Sequence, residues 1–267
     1  MKDKVVIITG ASSGIGKALA YEFASRGAVL VLAARRLDRL EQIKNDLPET
    51  KILNVQADVS NEQDCQKIID QTIFHFGRID ILINNAGISM RALFVELDIR
   101  VIKKLMDVNF WGTVYCTKSA MPHLLKSKGS VVGVISIAGY VGLPARSGYS
   151  ASKYAIRGFL DALRIENLNT GLHVLVAAPG FTASEVRESA LTPKGLTQGK
   201  TPRDESKMMT AEKCAGHIAD AVKKRKREII LTFGEGKLTV FLGKFLPRLL
   251  DKLTYNHMRK EPDSPLK

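Results

Sequence analysis

The strongest constraint on this chain is an alternation. Seven short, mostly apolar runs recur at residues 4–9, 29–33, 51–56, 79–83, 130–135, 172–177 and 228–231, and longer stretches separate them. The first run, Lys4-Val5-Val6-Ile7-Ile8-Thr9, lacks the polar alternation of a strand with one wet face, so it reads as a strand buried on both sides. Ile15, Leu19 and Phe23, with Ala18 and Ala20 beside them, then repeat at helical spacing until Arg26-Gly27. The same reading predicts helices over 37–47, 61–75, 99–125, 149–170 and 211–226. Strands alternating with helices require right-handed crossovers. The fold class is therefore α/β: a doubly wound, parallel, seven-stranded sheet with helices on both faces. A length of 267 residues suits a single domain of this kind. Only 181–209, rich in Ser, Thr, Pro, Gly and Lys, breaks the pattern. A loop of that length in a compact domain reads as a lid, a binding loop or a disordered segment.

Composition narrows the function classes. The three cysteines, Cys65, Cys116 and Cys214, are far apart and show no C-x-x-C spacing, so they read as reduced thiols rather than a disulfide framework or a zinc site. No metal centre is expected, and His75, His123 and His173 are isolated and read as structural. No charged-then-apolar leader and no long apolar span stands in the sequence, which predicts a cytoplasmic protein. The formal charge of +13 admits an acidic partner or simply a solvated basic surface. Residues 223–267 carry 12 Lys and Arg against 5 Asp and Glu, about half of that excess. No nucleic-acid motif accompanies it, so nucleic acid is not an expected partner.

Three local patterns carry chemistry. Thr9-Gly10-Ala11-Ser12-Ser13-Gly14-Ile15-Gly16 lies between the first strand and the first helix. Glycines there let the backbone approach a ligand, and free helix N–H groups face a diphosphate. The spacing is not the common G-x-G-x-x-G, and Lys17 does not complete a nucleoside-triphosphate loop. At the end of the second strand, where Asp or Glu would accept from an adenosine ribose 2′-hydroxyl, stands Ala34, followed by Arg35 and Arg36. An arginine suits a 2′-phosphate. This favours NADP(H), with Arg35 as the main contact and Ser12 or Arg36 assisting. Third, Tyr149 and Lys153 stand four apart at a helix start and so share a face. An ammonium beside a phenol favours the phenolate, which makes the tyrosine a usable proton carrier.

Taken together, these motifs resemble the short-chain dehydrogenase/reductase family in its shorter, single-domain branch. The resemblance rests on the turn at 9–16, on Asn84-Asn85-Ala86-Gly87 after the fourth strand, on Asn109, on Ser136 after the fifth strand, on Tyr149 and Lys153, and on Pro179-Gly180 after the sixth. It implies a Rossmann-type fold and hydride transfer between a nicotinamide and a carbonyl or alcohol carbon. It also implies roles. Tyr149 would exchange the substrate proton. Lys153 would depress the tyrosine pKa and hold the nicotinamide ribose. Ser136 would hold the substrate oxygen. Asn109 would fix its helix and a proton-relaying water. Gly10, Ser12, Ser13, Gly14, Ile15 and Gly16 would cradle the diphosphate, and Asp58 and Val59 would meet the adenine. Asn85, Ala86 and Gly87 would line the cleft, with Pro179 and Gly180 beyond, and Thr182 and Ser184 would meet the nicotinamide amide. The last pair departs from the family's usual residues, which puts it in doubt. Homodimers or homotetramers are implied too, with Phe110 and Trp111 as packing or subunit contacts. The other class of reading is a catalytically silent NADP-binding sensor or scaffold; the intact Asn109, Ser136, Tyr149 and Lys153 set argues against it.

These readings divide the chain into a catalytic domain at 1–235, with a substrate loop at 181–209, and a C-terminal amphipathic helical extension at 236–267. In 238–253 the pairs Phe241-Leu242, Phe245-Leu246 and Leu249-Leu250 alternate with Lys244, Arg248 and Lys252, and Pro247 should kink the helix or start a second one. The apolar stripe is expected to cover the cleft or a subunit surface. The competing reading is peripheral contact with an anionic membrane. An apolar or lipid-like substrate follows as the expectation.

Overall fold

The computed structural model describes residues 1–183, 185–199, 201, 208–232, 235–261 and 264–266. Its seven strands are β1 (Val5–Thr9), β2 (Val29–Ala34), β3 (Ile52–Gln56), β4 (Ile81–Asn84), β5 (Ser130–Val134), β6 (His173–Pro179) and β7 (Glu228–Leu231). All pair in parallel, in the order β3-β2-β1-β4-β5-β6-β7. The helices are α1 (Gly14–Ser25), α2 (Leu37–Asp46), α3 (Glu62–Phe76), α4 (Ile99–Leu105), α5 (Gly112–Ser127), α6 (Ser147–Glu166), α7 (Ala211–Lys223), α8 (Glu235–Phe245) and α9 (Pro247–Arg259).

Apolar residues account for the layering. Every residue of β1 and β6 is buried, because helices cover both faces of the sheet. On one face Leu19 and Phe23 of α1, Leu40 and Ile43 of α2, and Cys214 and Ile218 of α7 form a core with Val6, Ile8 and Leu30. On the other, Cys65 and Ile68 of α3, Cys116 and Leu124 of α5, and Ile156 and Leu160 of α6 pack on Val5, Ile7, Val131 and Val174. The strand order turns at β1 and β4, and the carboxyl ends of those strands open a crevice there.

Local chemistry fixes the ends of these elements. Asn61 caps α3 by accepting from the amides of Gln63 and Asp64, and Gly77 ends it at φ +69. At the amino ends of the central strands, away from the crevice, Asp80 is buried and accepts from Arg78, Lys4 and the Val5 amide. Burial opposes its charge, yet those three donors outweigh burial and hold the carboxyl below its usual range.

Two expectations change. The helix predicted over 99–125 is interrupted between α4 and α5 by a π-helical turn, Met106–Trp111. In the tail, Pro247 does begin a second helix, but the stripe is not covered by the chain. Phe241, Phe245, Leu246, Leu249 and Leu253 are exposed, while Leu250, Met258, Glu261 and Ser264 are the buried tail residues. Glu261 ties the tail to the body through Arg91 and Arg146, and the stripe faces outward. Among the described residues no helix is long and apolar enough to cross a membrane.

Candidate active site

A cavity of about 500 Å³ occupies the crevice. Every candidate residue named from the sequence lines it, except Asn109, which stands just behind, and Ser184, which lies outside the described residues.

Close approach shapes the turn between β1 and α1. Gly10 and Gly14 have φ of +65 and +52, values that favour glycine. A Cβ on Gly16 would stand 2.2 Å from the Gly10 carbonyl oxygen and 2.5 Å from the Asn85 Nδ2. Asn85 braces the turn, donating from Nδ2 to the carbonyls of Thr9 (3.0 Å) and Gly10 (3.3 Å). Thr9, absent from the candidate residues, accepts from the amides of Asn85 and Ala86 through its hydroxyl, both at 3.1 Å. The N-cap Ser13 makes no side-chain cap bond, and the first turn of α1 has no acidic residue. A helix start with free N–H groups, no carboxylate and a glycine floor fits a dinucleotide diphosphate.

At the end of β2 the two arginines separate. Arg36 reaches the turn, donating to Ser13 Oγ at 2.9 Å and to Ser12 Oγ at 3.2 Å. It also pairs at 3.3 Å with Glu185, which Arg39 holds at 2.8 Å. Arg35 is exposed at the rim, 3.9 Å from Asp58. The sequence ranked Arg35 first; the geometry brings Arg36 closer to the cradle. Asp58 is oriented locally, its Oδ1 accepting from the Ser60 amide and hydroxyl.

Ser136, Tyr149 and Lys153 line the same cavity. Ser136 follows β5 in extended conformation, its Oγ accepting from the Ala138 amide at 3.2 Å. Burial pushes the Tyr149 phenol above its usual value, and the Ser136 hydrogen bond, Arg146 and Arg187 pull it back. Lys153 stands 5.7 Å from the tyrosine ring centre and donates to the Val134 carbonyl at 3.1 Å. Burial brings its own pKa down to about 8. Asn109 sits in the π turn, fully buried. Its Oδ1 accepts from the Ile88 amide (2.8 Å), and its Nδ2 donates to the Ile88 carbonyl (3.0 Å) and to Ser152 Oγ (2.9 Å). It thus clamps the segment after β4 to α6. A Cβ on Gly87 would meet Asn109 Oδ1 at 3.2 Å and Lys153 Nζ at 3.4 Å, which is why a glycine sits between them. Gly180 joins β6 to the loop, its amide donating to Leu231 at 2.8 Å. Thr182 is buried, with its hydroxyl on the Gly180 carbonyl at 3.4 Å.

Sequence reasoning missed Arg146 and Arg187. Both are nearly buried, both line the cavity, and both bear on Tyr149. The one available signal was Arg146 standing three residues before the tyrosine at a helix start. Apolar walls come from Ile88, Val108, Ile137, Leu143 and Leu191.

Comparisons with known proteins follow this geometry. Residues 4–194 match the family described as short chain dehydrogenase. An 11-beta-hydroxysteroid dehydrogenase 1A of Arabidopsis thaliana is 41% identical over 246 residues, covering 85% of this chain and 67% of that protein. An 11-beta-hydroxysteroid dehydrogenase A of Sesamum indicum is 46% identical over 201 residues, covering 74% of this chain and 55% of that one. The chain thus spans about two thirds or less of these relatives. Among solved structures, a short chain dehydrogenase/reductase from Burkholderia phymatum in complex with NAD superposes with TM-score 0.83 at 25% identity, covering 100% of this chain and 98% of that one. An alcohol dehydrogenase from the archaeon Thermococcus sibiricus complexed with 5-hydroxy-NADP gives 0.77 at 25% identity, covering 86% and 96%.

Proposed function

The chain belongs to the short-chain dehydrogenase family, and on that premise we propose that it is an NADP(H)-dependent oxidoreductase interconverting a ketone and a secondary alcohol on a steroid-like substrate. The observation that carries the reading is the convergence of Ser136, Tyr149 and Lys153 on one cavity with the glycine turn, Asn109 clamped behind them. The apolar walls and the names of the plant relatives support the substrate class. The Arg36 contacts at the turn, with no carboxylate at the end of β2, support NADP(H) over NAD(H).

When bound, the nicotinamide supplies the hydride. The chain supplies everything else. The amides at the start of α1, with Ser12, Ser13 and Arg36, hold phosphate groups. Asp58 and Val59 would meet the adenine, and Thr182 the nicotinamide amide. Ser136 Oγ donates to the substrate oxygen and stabilises its developing charge. Tyr149 Oη gives its proton to that oxygen on reduction, or takes it on oxidation. Lys153, a cation held in a buried site, hydrogen-bonds the ribose and steadies the tyrosine when it is deprotonated. Asn109 keeps Gly87 and Ile88 against α6 and so fixes the width of the site; a water-mediated relay to Lys153 completes the proton path.

A panel of steroid ketones and aldehydes screened for NADPH consumption tests the activity. On the best substrate, Tyr149→Phe should lower turnover at least about 10²-fold with little change in NADPH affinity. Near-normal turnover in that variant would remove Tyr149 from the role.

Residues 1–235 form the catalytic unit in this reading, with 236–267 a C-terminal extension tied to it through Glu261. Exposed Trp111 and Tyr154 on the outer face of the π turn and α6 support self-association there. The outward stripe of α8 and α9, edged by Lys244, Arg248 and Lys252, supports contact with a second subunit or an anionic lipid surface. Sedimentation with anionic vesicles distinguishes the two.

A further inference from the structure

We propose that Glu261 is a positioning residue for the reaction: paired with Arg146 and Arg91 behind the catalytic tyrosine, its carboxylate governs how much positive charge reaches the Tyr149 hydroxyl. The inference rests on Tyr149 being the proton carrier.

The geometry is specific. Glu261 follows α9 and is 6% exposed. Its Oε2 lies 3.4 Å from an Arg91 Nη2 and 4.0 Å from an Arg146 Nη2, and both arginines are nearly buried. Arg146 lines the catalytic cavity and leads into the first turn of α6, where Tyr149 stands. Arg91 belongs to the segment after β4. Its amide donates to the Leu191 carbonyl at 2.9 Å, and the next amide, of Ala92, donates to the Ala145 carbonyl at 2.9 Å. Three distant stretches of chain are thereby stitched together around one carboxylate. Ala145 itself has φ +59, a left-handed conformation that is costly for a residue with a Cβ and persists where surroundings impose it. The backbone immediately before Arg146 is therefore held, and so is the origin of its side chain.

Stability alone does not account for such a cluster. Replacing buried ion pairs by apolar residues is often neutral or stabilising, so three charges kept out of water point to a use for the charge. Four groups face Tyr149: Ser136 from the end of β5, Arg146 at the start of α6, Lys153 one turn further along it, and Arg187 from the loop after β6. Arg146 favours the phenolate against the effect of burial. A carboxylate behind Arg146 partly cancels that influence, and in a site shielded from water the cancellation reaches further than it would in solvent.

The sign follows directly. Removing the Glu261 charge takes one carboxylate away from Arg146, which favours the phenolate and lowers the tyrosine pKa. Reduction requires the tyrosine protonated at the start, so the alkaline limb of its pH–rate profile moves to lower pH. Oxidation requires the phenolate, so its acid limb moves the same way. Neutralising Arg146 moves both limbs to higher pH.

The test measures kcat against pH with NADPH and the best ketone of the panel. It compares the unaltered protein with Glu261→Gln, Glu261→Asp, Arg146→Gln, the Glu261→Gln/Arg146→Gln pair and Tyr149→Phe, with thermal melts as a check of folding. The 295 nm phenolate absorbance of each variant minus its Tyr149→Phe counterpart reads the same titration without turnover. Glu261→Gln should lower the apparent pKa by about 0.5 to 1 unit. Glu261→Asp should restore it, and the shift should vanish when Arg146 is already neutral. A profile unmoved in Glu261→Gln, or a shift that persists without Arg146, overturns the proposal; loss of melting temperature alone does so too. If Glu261→Gln does not fold, Arg146→Gln decides by itself, since an unmoved limb there is equally fatal. Retained activity in Tyr149→Phe, by contrast, refutes the assignment of the proton carrier.

Discussion

At the scale of single residues, two neighbours with the same side chain do different things. Arg35 and Arg36 are indistinguishable in a pattern that asks only for a cation after β2. Both follow the end of β2, and Arg36, at the N-cap of α2, is bonded to both turn serines while Arg35 stays exposed at the rim. NADP(H) should therefore bind at least about tenfold more tightly than NAD(H), roughly 1.4 kcal/mol. Arg36→Ala should remove most of that preference and Arg35→Ala a smaller part. Titration of both cofactors into all three proteins checks it, and equal affinities in the unaltered protein would end the NADP(H) assignment. The reacting set was legible because its members are fixed in sequence relative to the strands. Arg146, Arg187 and Glu261 were not, because their relevance exists only once 91, 146, 187 and 261 are neighbours in space.

At the scale of elements, the buried strands were readable because a parallel sheet covered on both faces needs unbroken apolar runs, as in β1 and β6. Their edges depend on polar anchors that no periodicity reveals. Asp80 ties β1 to the start of β4 through the Val5 amide, Lys4 and Arg78. Asp80→Asn should cost about 2 kcal/mol in urea melts near pH 7, the scale of charge-assisted hydrogen bonds. Since folding holds this carboxyl below its ordinary value of 3.8, its contribution is present above that pH and is lost as pH falls through the folded value. The gap between the two proteins should therefore shrink in melts below about pH 3.8; a gap independent of pH would show that the charge is not what matters.

At the scale of the whole molecule, the tail meets the body at Glu261, which pairs with Arg91 and with the cavity residue Arg146. The amphipathic pattern left Pro247 as a kink or a helix start, and α9 begins there; the stripe expected to cover the cleft or a subunit is exposed on this chain, because a stripe reports apolarity and not what it touches. The Glu261 tie to the body is polar. Deleting the chain after Gly236 should leave NADPH affinity within about twofold while turnover falls at least about tenfold, since the glycine turn and β2 make no use of the tail but Arg91 and Arg146 lose Glu261. Unchanged turnover on truncation would place the tail outside the reaction altogether.

The π turn at Met106–Trp111 carries a consequence for insertions and deletions. Such a turn holds one residue more than the α-helical pitch accommodates, so α4 and α5 run on as one rod with a surplus residue between them. Elsewhere in a helix, removing a residue rotates everything downstream by about a quarter turn or more and breaks its packing. Here the backbone can absorb the loss by closing into an ordinary helix, with the two flanking segments keeping their faces. Excising Phe110 should accordingly give a folded protein of near-unchanged melting temperature, yet one whose Asn109 no longer reaches Ile88 and Ser152 and whose turnover collapses. A surplus of one residue, invisible to hydropathy, would then separate the folding of this chain from its chemistry.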